Sequence, residues 1–202
     1  MEQKRIAVLA SGSGTNLQAI IDATSSGRIN GRVVCVISDR RGAYALERAR
    51  RSGIEAIYVK HGDGFENAVD RALESHSPDI VVLAGFMRIL PGWLVSKYVM
   101  VNIHPSLLPC FGGPGFYGRR VHRAVIDSGA MFSGCTVHLV TPDVDRGPII
   151  LQKVVEVSPD DTEETLEEKI HPLEHEAIVE ALASMCSMGY VIRGNRVIFR
   201  SG

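Results

Sequence analysis

Apolar positions in the first half of the chain follow two alternating rhythms. Short, almost continuous apolar runs occur at Arg5–Ala10 (RIAVLA), Arg32–Ser38 (RVVCVIS), Glu55–Val59 (EAIYV) and Pro78–Phe86 (PDIVVLAGF). Runs of this length, rich in β-branched residues, are the pattern of strands covered on both faces. Between them, Leu17–Thr24, Ala43–Gly53 and Phe65–Ser75 carry apolar residues at three- and four-residue spacing. That spacing predicts helices with one buried stripe, the second of them ended by Gly53. Gly92–Tyr98 predicts a further helix, leading into a strand from Val99 that ends at Asn102. The β-α-β-α alternation predicts a mainly parallel, doubly wound sheet. Ligands of such sheets bind outside the carboxyl ends of the strands, near a topological switch.

The rhythm changes in the second half. Pro109–Gly118 is a Gly, Pro and aromatic loop, and Arg119–Gly129 is a predicted helix closed by its glycine. Gly134–Thr141 and Ile149–Val157 predict strands joined by the loop Pro142–Pro148 (PDVDRGP). Strand, turn, strand implies an antiparallel addition to the parallel core. The stretch Ser158–Met185 predicts a long helix with acidic residues at its start, where the helix dipole favours them. Tyr190–Phe199 predicts a hairpin around Gly194-Asn195. The fold class is therefore α/β: a Rossmann-like, doubly wound, mainly parallel sheet with an antiparallel addition in the C-terminal half. No repeat, low-complexity tract or linker interrupts residues 1–202, which predicts a single domain.

Composition narrows the function classes. The 202 residues carry a net charge of −1, so no basic excess points to nucleic acid and no acidic tail points to disorder. Arg40-Arg41, Arg48–Arg51 and Arg119-Arg120 read as solvated surface. The four cysteines, Cys35, Cys110, Cys135 and Cys186, form no Cys-x-x-Cys pair. This argues for a reducing compartment, with neither a disulfide framework nor a zinc site. Cys110, in the glycine-rich loop, reads as a bystander rather than a reactive thiol. The apolar run near the N-terminus is too short for a signal sequence, and nothing approaches a membrane span. A cytoplasmic protein without membrane or nucleic-acid partners is expected.

Three stretches carry chemistry. In Ser11–Asn16 (SGSGTN) small residues separate the first strand from the first helix. Glycines let a backbone approach a ligand closely, and unpaired N–H groups at a helix start favour an anion, phosphate above all. The run is neither G-x-G-x-x-G, since Leu17 takes the third glycine's place, nor a Walker loop, since no lysine follows Gly14. Asp39 lies where a dinucleotide fold places its ribose acid, which keeps that reading open. In Asn102–Pro109 (NIHPSLLP), Asn102 and His104 share a face of the strand, since side chains alternate. Asn can donate to a developing oxyanion and His can exchange a proton near neutral pH. A structural turn remains the alternative for this pair alone. In the Pro142–Pro148 loop, Asp143 and Asp145 precede a rigid Gly-Pro. An acid held near His104 raises its pKa and orients its ring. No Ser or Cys nucleophile stands out. His138, between Val137 and Leu139, faces away from them, either near the site or to solvent.

Taken together these stretches resemble a known family. The segments LASGSGTNLQAII, PDIVVLAGFMRIL, NIHPSLLP, TVHLVTPDVDRGPIILQ and IHPLEHEAI resemble, in order and spacing over nearly the whole chain, the phosphoribosylglycinamide formyltransferases. These are folate-dependent enzymes of purine synthesis within the formyltransferase superfamily. The resemblance implies transfer of a formyl group from 10-formyltetrahydrofolate, as co-substrate, to the amine of glycinamide ribonucleotide, without a metal. It implies a phosphate-binding half over about residues 1–100 and a catalytic and folate-binding half over about 80–202. Ser13, Gly14, Thr15 and Asn16 would cradle the ribonucleotide phosphate, and Glu174 would bind the ribonucleotide. Met87, Arg88, Ile89 and Leu90 would line the folate pocket, with Thr141, Val144 and their loop closing over the pterin. Asn102, His104 and Asp145 would be the catalytic trio. The enzyme would be a monomer or homodimer.

Two departures from the family pattern stand out. The loop after SLLP is longer, CFGGPGFYGRRVHR, with His122 in the place of the family's loop histidine. Glu66 replaces an arginine that can contact the folate's glutamate tail. Within the superfamily, methionyl-tRNA formyltransferase usually adds a basic domain and formyltetrahydrofolate deformylase a regulatory one, and neither is expected here. A non-catalytic nucleotide-binding module has no need of Asn102, His104 and Asp145 together. A dehydrogenase would want a fuller dinucleotide fingerprint.

Overall fold

A computed structural model describes residues 2–200. The element order is β1 (Lys4–Leu9), α1 (Thr15–Ser25), β2 (Gly31–Ser38), α2 (Tyr44–Arg51), β3 (Glu55–Tyr58), α3 (Phe65–His76), β4 (Ile80–Leu83), α4 (Gly92–Lys97) and β5 (Met100–His104). There follow α5 (Arg119–Asp127), β6 (Phe132–Leu139), β7 (Ile149–Glu156), α6 (Glu163–Ser187), β8 (Tyr190–Arg193) and β9 (Arg196–Phe199).

All the strands join one sheet, in the order β3-β2-β1-β4-β5-β6-β7-β9-β8. The first five pair in parallel. From β5 to β7 the pairing is antiparallel, β5 with β6 and β6 with β7, after which β9 joins β7 in parallel and β8 closes a hairpin with β9. The chain runs outward from β1 to β3, then returns to place β4 on β1's other side. The switch point therefore lies between the carboxyl ends of β1 and β4, where a doubly wound sheet opens a crevice.

Side-chain alternation explains why the strand runs are apolar throughout. Ile6 and Val8 belong to one core, with residues of α1, α2, α5 and α6. Ala7 and Leu9 belong to the other, with residues of α3 and α4. In β1 from Ile6 onward and throughout β4 both faces are covered, and each fully buried Ile, Leu or Val contributes roughly 1.5–3 kcal/mol. The expected α/β class with its antiparallel addition is the observed one.

Several boundaries shift for physical reasons. The strand expected over Pro78–Phe86 pairs only at Ile80–Leu83, and Ala84–Leu90 leaves the sheet to line the crevice. The first helix begins at Thr15, two residues early, so Thr15 and Asn16 sit in its first turn. The long helix begins at Glu163 rather than Ser158. Thr162 caps it, since its side chain accepts from Thr165 N while its own N–H donates to Thr165 Oγ1. Ser158–Asp161 forms a separate turn in which Ser158 N donates to Asp161 Oδ2 at 2.7 Å. The strand expected from Gly134 begins at Phe132 and ends at Leu139. Among the described residues no helix is long and apolar enough to cross a membrane. Cys35, Cys135 and Cys186 are buried free thiols, and Cys110 is exposed.

Candidate active site

The carboxyl ends of β1, β4 and β5 open into a cavity of about 460 Å³. The residues that the family resemblance assigns to the site all line it: Ser13–Asn16, Met87–Leu90, Asn102, His104, Thr141, Val144, Asp145 and Glu174, whereas Asp39 and Asp143 do not. Three further histidines, His122, His138 and His171, line it as well.

The loop after β1 forms the first wall. Gly14 is the residue preceding α1, at φ +70°, and a Cβ there would lie 2.8 Å from Ala45 Cα. Only glycine fits both constraints. No side chain caps α1, so its first N–H groups stay free for a ligand. The loop is braced from α2, where Ala45 N donates to the Gly12 carbonyl at 3.1 Å and Arg48 Nε to the Ser13 carbonyl at 2.8 Å. Arg48, expected as solvated surface, is thus a structural brace. Asn16 is 9% exposed, and its Oδ1 is buried without a partner.

Asp39 is committed elsewhere than to a ribose. Its side chain is fully buried, accepting from Ser11 Oγ at 2.6 Å and Arg88 Nε at 2.7 Å. Burial pushes the carboxyl up, but the hydrogen bonds from Ser11 and Arg88 outweigh it and hold the pKa below the usual carboxylate value. Ser11 Oγ also accepts from Met87 N at 2.9 Å. This clip ties β1, β2 and the loop after β4 together and sets the wall formed by Met87–Leu90. A dinucleotide acid would need Asp39 free, so that reading loses its main support.

The third wall carries the acid–base groups. On β5, Asn102 pairs directly across the antiparallel ladder with His138 of β6, and His104 with Thr136. His138 is 2% exposed, so it lies in the site and not at the surface. Burial pushes its pKa down, against a smaller upward effect of Asp145. A neutral ring then donates from Nδ1 to the Leu139 carbonyl at 2.9 Å, which leaves Nε2 to accept from Asn102 Nδ2 at 3.1 Å. This network fixes the Asn102 amide with its nitrogen toward His138.

His104 donates from Nε2 to the Phe111 carbonyl at 2.8 Å, and its Nδ1 lies 3.7 Å from Asp145 Oδ2. Asp145 reaches this position because the β6–β7 loop folds tightly. Its φ is +56°, and Gly147 packs so closely that a Cβ would lie 1.8 Å from the Leu139 carbonyl oxygen. Asp145 Oδ2 accepts from Gly113 N at 2.9 Å, joining the loop after β5 to the trio. The turn that follows His104 is pinned from β6 and β7. Thr136 Oγ1 donates to the Ser106 carbonyl at 2.7 Å, and Gln152 Nε2 donates to the Leu108 carbonyl at 3.0 Å.

Helix α6 closes the cavity with Glu167, His171 and Glu174. Burial, and then the neighbouring Glu167, push the Glu174 carboxyl up to about 7. His122 of α5 is 3% exposed with Nδ1 unpartnered, and burial pushes its pKa down. Glu66, in the first turn of α3, does not line the cavity. Sequence reasoning did not single out Glu167 or His171. The available signal was their spacing in α6, with Glu167 two turns and His171 one turn before Glu174 on the same helical face. Among the described residues, no three His, Cys, Asp or Glu side chains are arranged to hold a metal ion.

Fold and cavity define a Rossmann-like α/β protein with a converging Asn, His and Asp beside its switch point. Comparison with known proteins narrows this class. The formyl transferase family model matches residues 4–182, and the chain belongs to that family. It is 44% identical over 193 residues to the bovine (Bos taurus) trifunctional purine biosynthetic protein adenosine-3, covering 92% of this chain and 19% of that protein. The chain thus spans 14–19% of the length of the trifunctional relatives it matches. It is 37% identical over 193 residues to the chloroplastic phosphoribosylglycinamide formyltransferase of Arabidopsis thaliana, covering 91% of this chain and 66% of that one. The crystal structure of glycinamide ribonucleotide transformylase 1 from Symbiobacterium toebii superposes with a TM-score of 0.92 at 43% identity, covering 99% and 95% of the two chains. A formyltetrahydrofolate deformylase from Pseudomonas syringae superposes with a TM-score of 0.89 at 27% identity, covering 98% of this chain and 66% of that one.

Proposed function

We propose that this protein transfers the formyl group of 10-formyltetrahydrofolate to the amine of glycinamide ribonucleotide. The observation that carries the proposal is the single cavity that joins an anion-receptive helix start to Asn102, His104 and Asp145. The likeness to a phosphoribosylglycinamide formyltransferase at 37% identity and to a glycinamide ribonucleotide transformylase at 43% supports it.

In this reading the phosphate rests on the free N–H groups of Ser13–Asn16. Glu174 takes hydroxyls of the ribonucleotide, and the folate lies along Met87–Leu90 under the loop of Thr141 and Val144. The free amine attacks the formyl carbon, and negative charge gathers on the formyl oxygen. Asn102, held by His138, donates its remaining amide N–H to that oxygen, and His104 adds a ring N–H beside it. Asp145, 3.7 Å from the His104 ring, orients it and accepts the amine's proton on its way to the leaving folate nitrogen. Attack, proton movement and expulsion of the folate nitrogen balance without metal or covalent enzyme intermediate.

The test is a formyl-transfer assay on purified protein given both small molecules. Release of tetrahydrofolate that depends on the ribonucleotide supports the proposal. Release without it favours a deformylase, and no release removes the transferase reading.

A further inference from the structure

Among the described residues, the loop of Ser11–Asn16 offers an anion no uncommitted cation. Arg48 approaches from α2, but it donates to the Ser13 carbonyl and to Gln18 Oε1. Arg88 is tied to the buried Asp39. The titratable side chain that touches the loop from within the cavity is His171, whose Nε2 lies 2.8 Å from Thr15 Oγ1. Asn16, the next residue, is 9% exposed and its Oδ1 lacks a partner, an acceptor that a ligand hydroxyl would satisfy and that an amide flip would turn into a donor toward an anion.

The Thr15–His171 bond can run either way. With Nε2 unprotonated, the Thr15 hydroxyl must donate to the ring and turns lone pairs toward the cavity. With Nε2 protonated, the ring donates to Oγ1, and the hydroxyl proton is free for a ligand. An anion at the start of α1 accepts the second arrangement and repels the first. A dianion also favours the doubly protonated ring, since an opposite charge nearby raises a histidine's pKa.

We propose that His171 makes the phosphate site proton-linked: binding a phosphate monoester orients the Thr15–His171 hydrogen bond with Nε2 donating and draws a proton onto the ring. The inference rests on the loop being the phosphate site of the proposed ribonucleotide.

The charged groups around His171 are few. On α6, Glu167 and Glu174 share its cavity wall, and the His175 ring lies against it, tilted by 58° with centroids 4.6 Å apart. His175 Nε2 is buried without a partner, and burial, His171 and Arg48 push its pKa down, so it stays neutral. From α5, Arg119 pairs with Glu164 and Glu167. From α2, Arg48 is the cation nearest the loop. Glu174 titrates near neutrality in its own right, so the test must separate its proton from that of His171.

Calorimetry of ribose 5-phosphate binding in buffers of different ionisation heat does this, because it counts protons exchanged. At pH 7 the wild type should take up more protons on binding than His171→Gln does. Running both proteins in a Glu174→Gln background removes that carboxyl's proton from the difference. The variant should bind up to ~10-fold more weakly at pH 6 and nearly as well as wild type at pH 8.5. His171→Lys, with a permanent charge, should restore binding at both pH values without the extra proton. Thr15→Val, which removes the hydroxyl between ring and ligand, should lose most of the uptake. Equal uptake in wild type and a folded His171→Gln overturns the inference and leaves the phosphate site standing. Failure of the wild type to bind ribose 5-phosphate at all overturns the phosphate site itself, and the inference with it.

Discussion

Replacing Glu174 by Gln should stabilise the protein at neutral and alkaline pH while weakening its grip on substrate. The carboxyl is pushed from 4.5 to about 7 by burial and by Glu167. Between these values the folded state binds a proton that the unfolded chain has released. Stability from this group therefore falls as pH rises from about 4.5 to about 7, and levels off above. At 1.36 kcal/mol per pH unit, the full cost of ionising it in the fold is about 3 kcal/mol. Gln keeps the shape and carries no charge. The stability difference between variant and wild type should be under about 1 kcal/mol at pH 5 and grow to about 3 kcal/mol by pH 8.5. For a chain of this size that corresponds to a rise in Tm of roughly 6–12 °C at the alkaline end. Urea unfolding at a series of pH values measures it, with the other titrating groups cancelling between the two proteins. A difference that stays flat from pH 5 to pH 8.5 refutes the reasoning, because the carboxyl would then titrate alike in both states.

Other changes probe the site separately. His104→Ala should leave the fold intact and lower turnover at least ~100-fold, since oxyanion and proton-transfer roles each carry about that much; near-normal turnover in a folded variant removes His104 from the chemistry. His138→Phe should lower kcat more than it raises either KM, because it releases the Asn102 amide without touching the ligands; equal effects on kcat and on affinity count against an orienting role. Ser11→Ala leaves Met87 N and one oxygen of Asp39 unpaired, at about 1–3 kcal/mol, and should raise the KM for the folate more than for the ribonucleotide. Gly147→Ala would place its Cβ 1.8 Å from the Leu139 carbonyl oxygen, and should destabilise the protein by at least ~2 kcal/mol, read from its urea midpoint.

Much of this architecture is legible along the chain, and the reasons are local. Apolar runs of strand length and helical spacings between them announce a doubly wound sheet, because both faces of a parallel sheet must be covered. Small residues after β1 announce an anion-receptive turn, since close backbone approach needs glycine at Gly14. Asn102 and His104 fall on one side of β5 by the two-residue repeat alone.

Other features depend on which distant segments meet. Nothing near His138 in the chain says whether it faces solvent or the site. The antiparallel register of β6 on β5 decides it, setting His138 directly opposite Asn102. Asp39 looks like a ribose ligand until Ser11 and Arg88, from two other strand ends, are seen to occupy both its oxygens. Arg48 sits in a run of surface arginines until α2 folds against the loop it braces. The perturbed carboxyl of Glu174 and the bond between His171 and Thr15 arise only where α6 crosses the start of α1. By itself the sequence determined the elements, their order and the chemical types at the strand ends, because periodicity and backbone constraints act between neighbours. Tertiary structure alone decided which groups are paired, buried or charged, because burial and hydrogen bonding are set by residues remote in the chain.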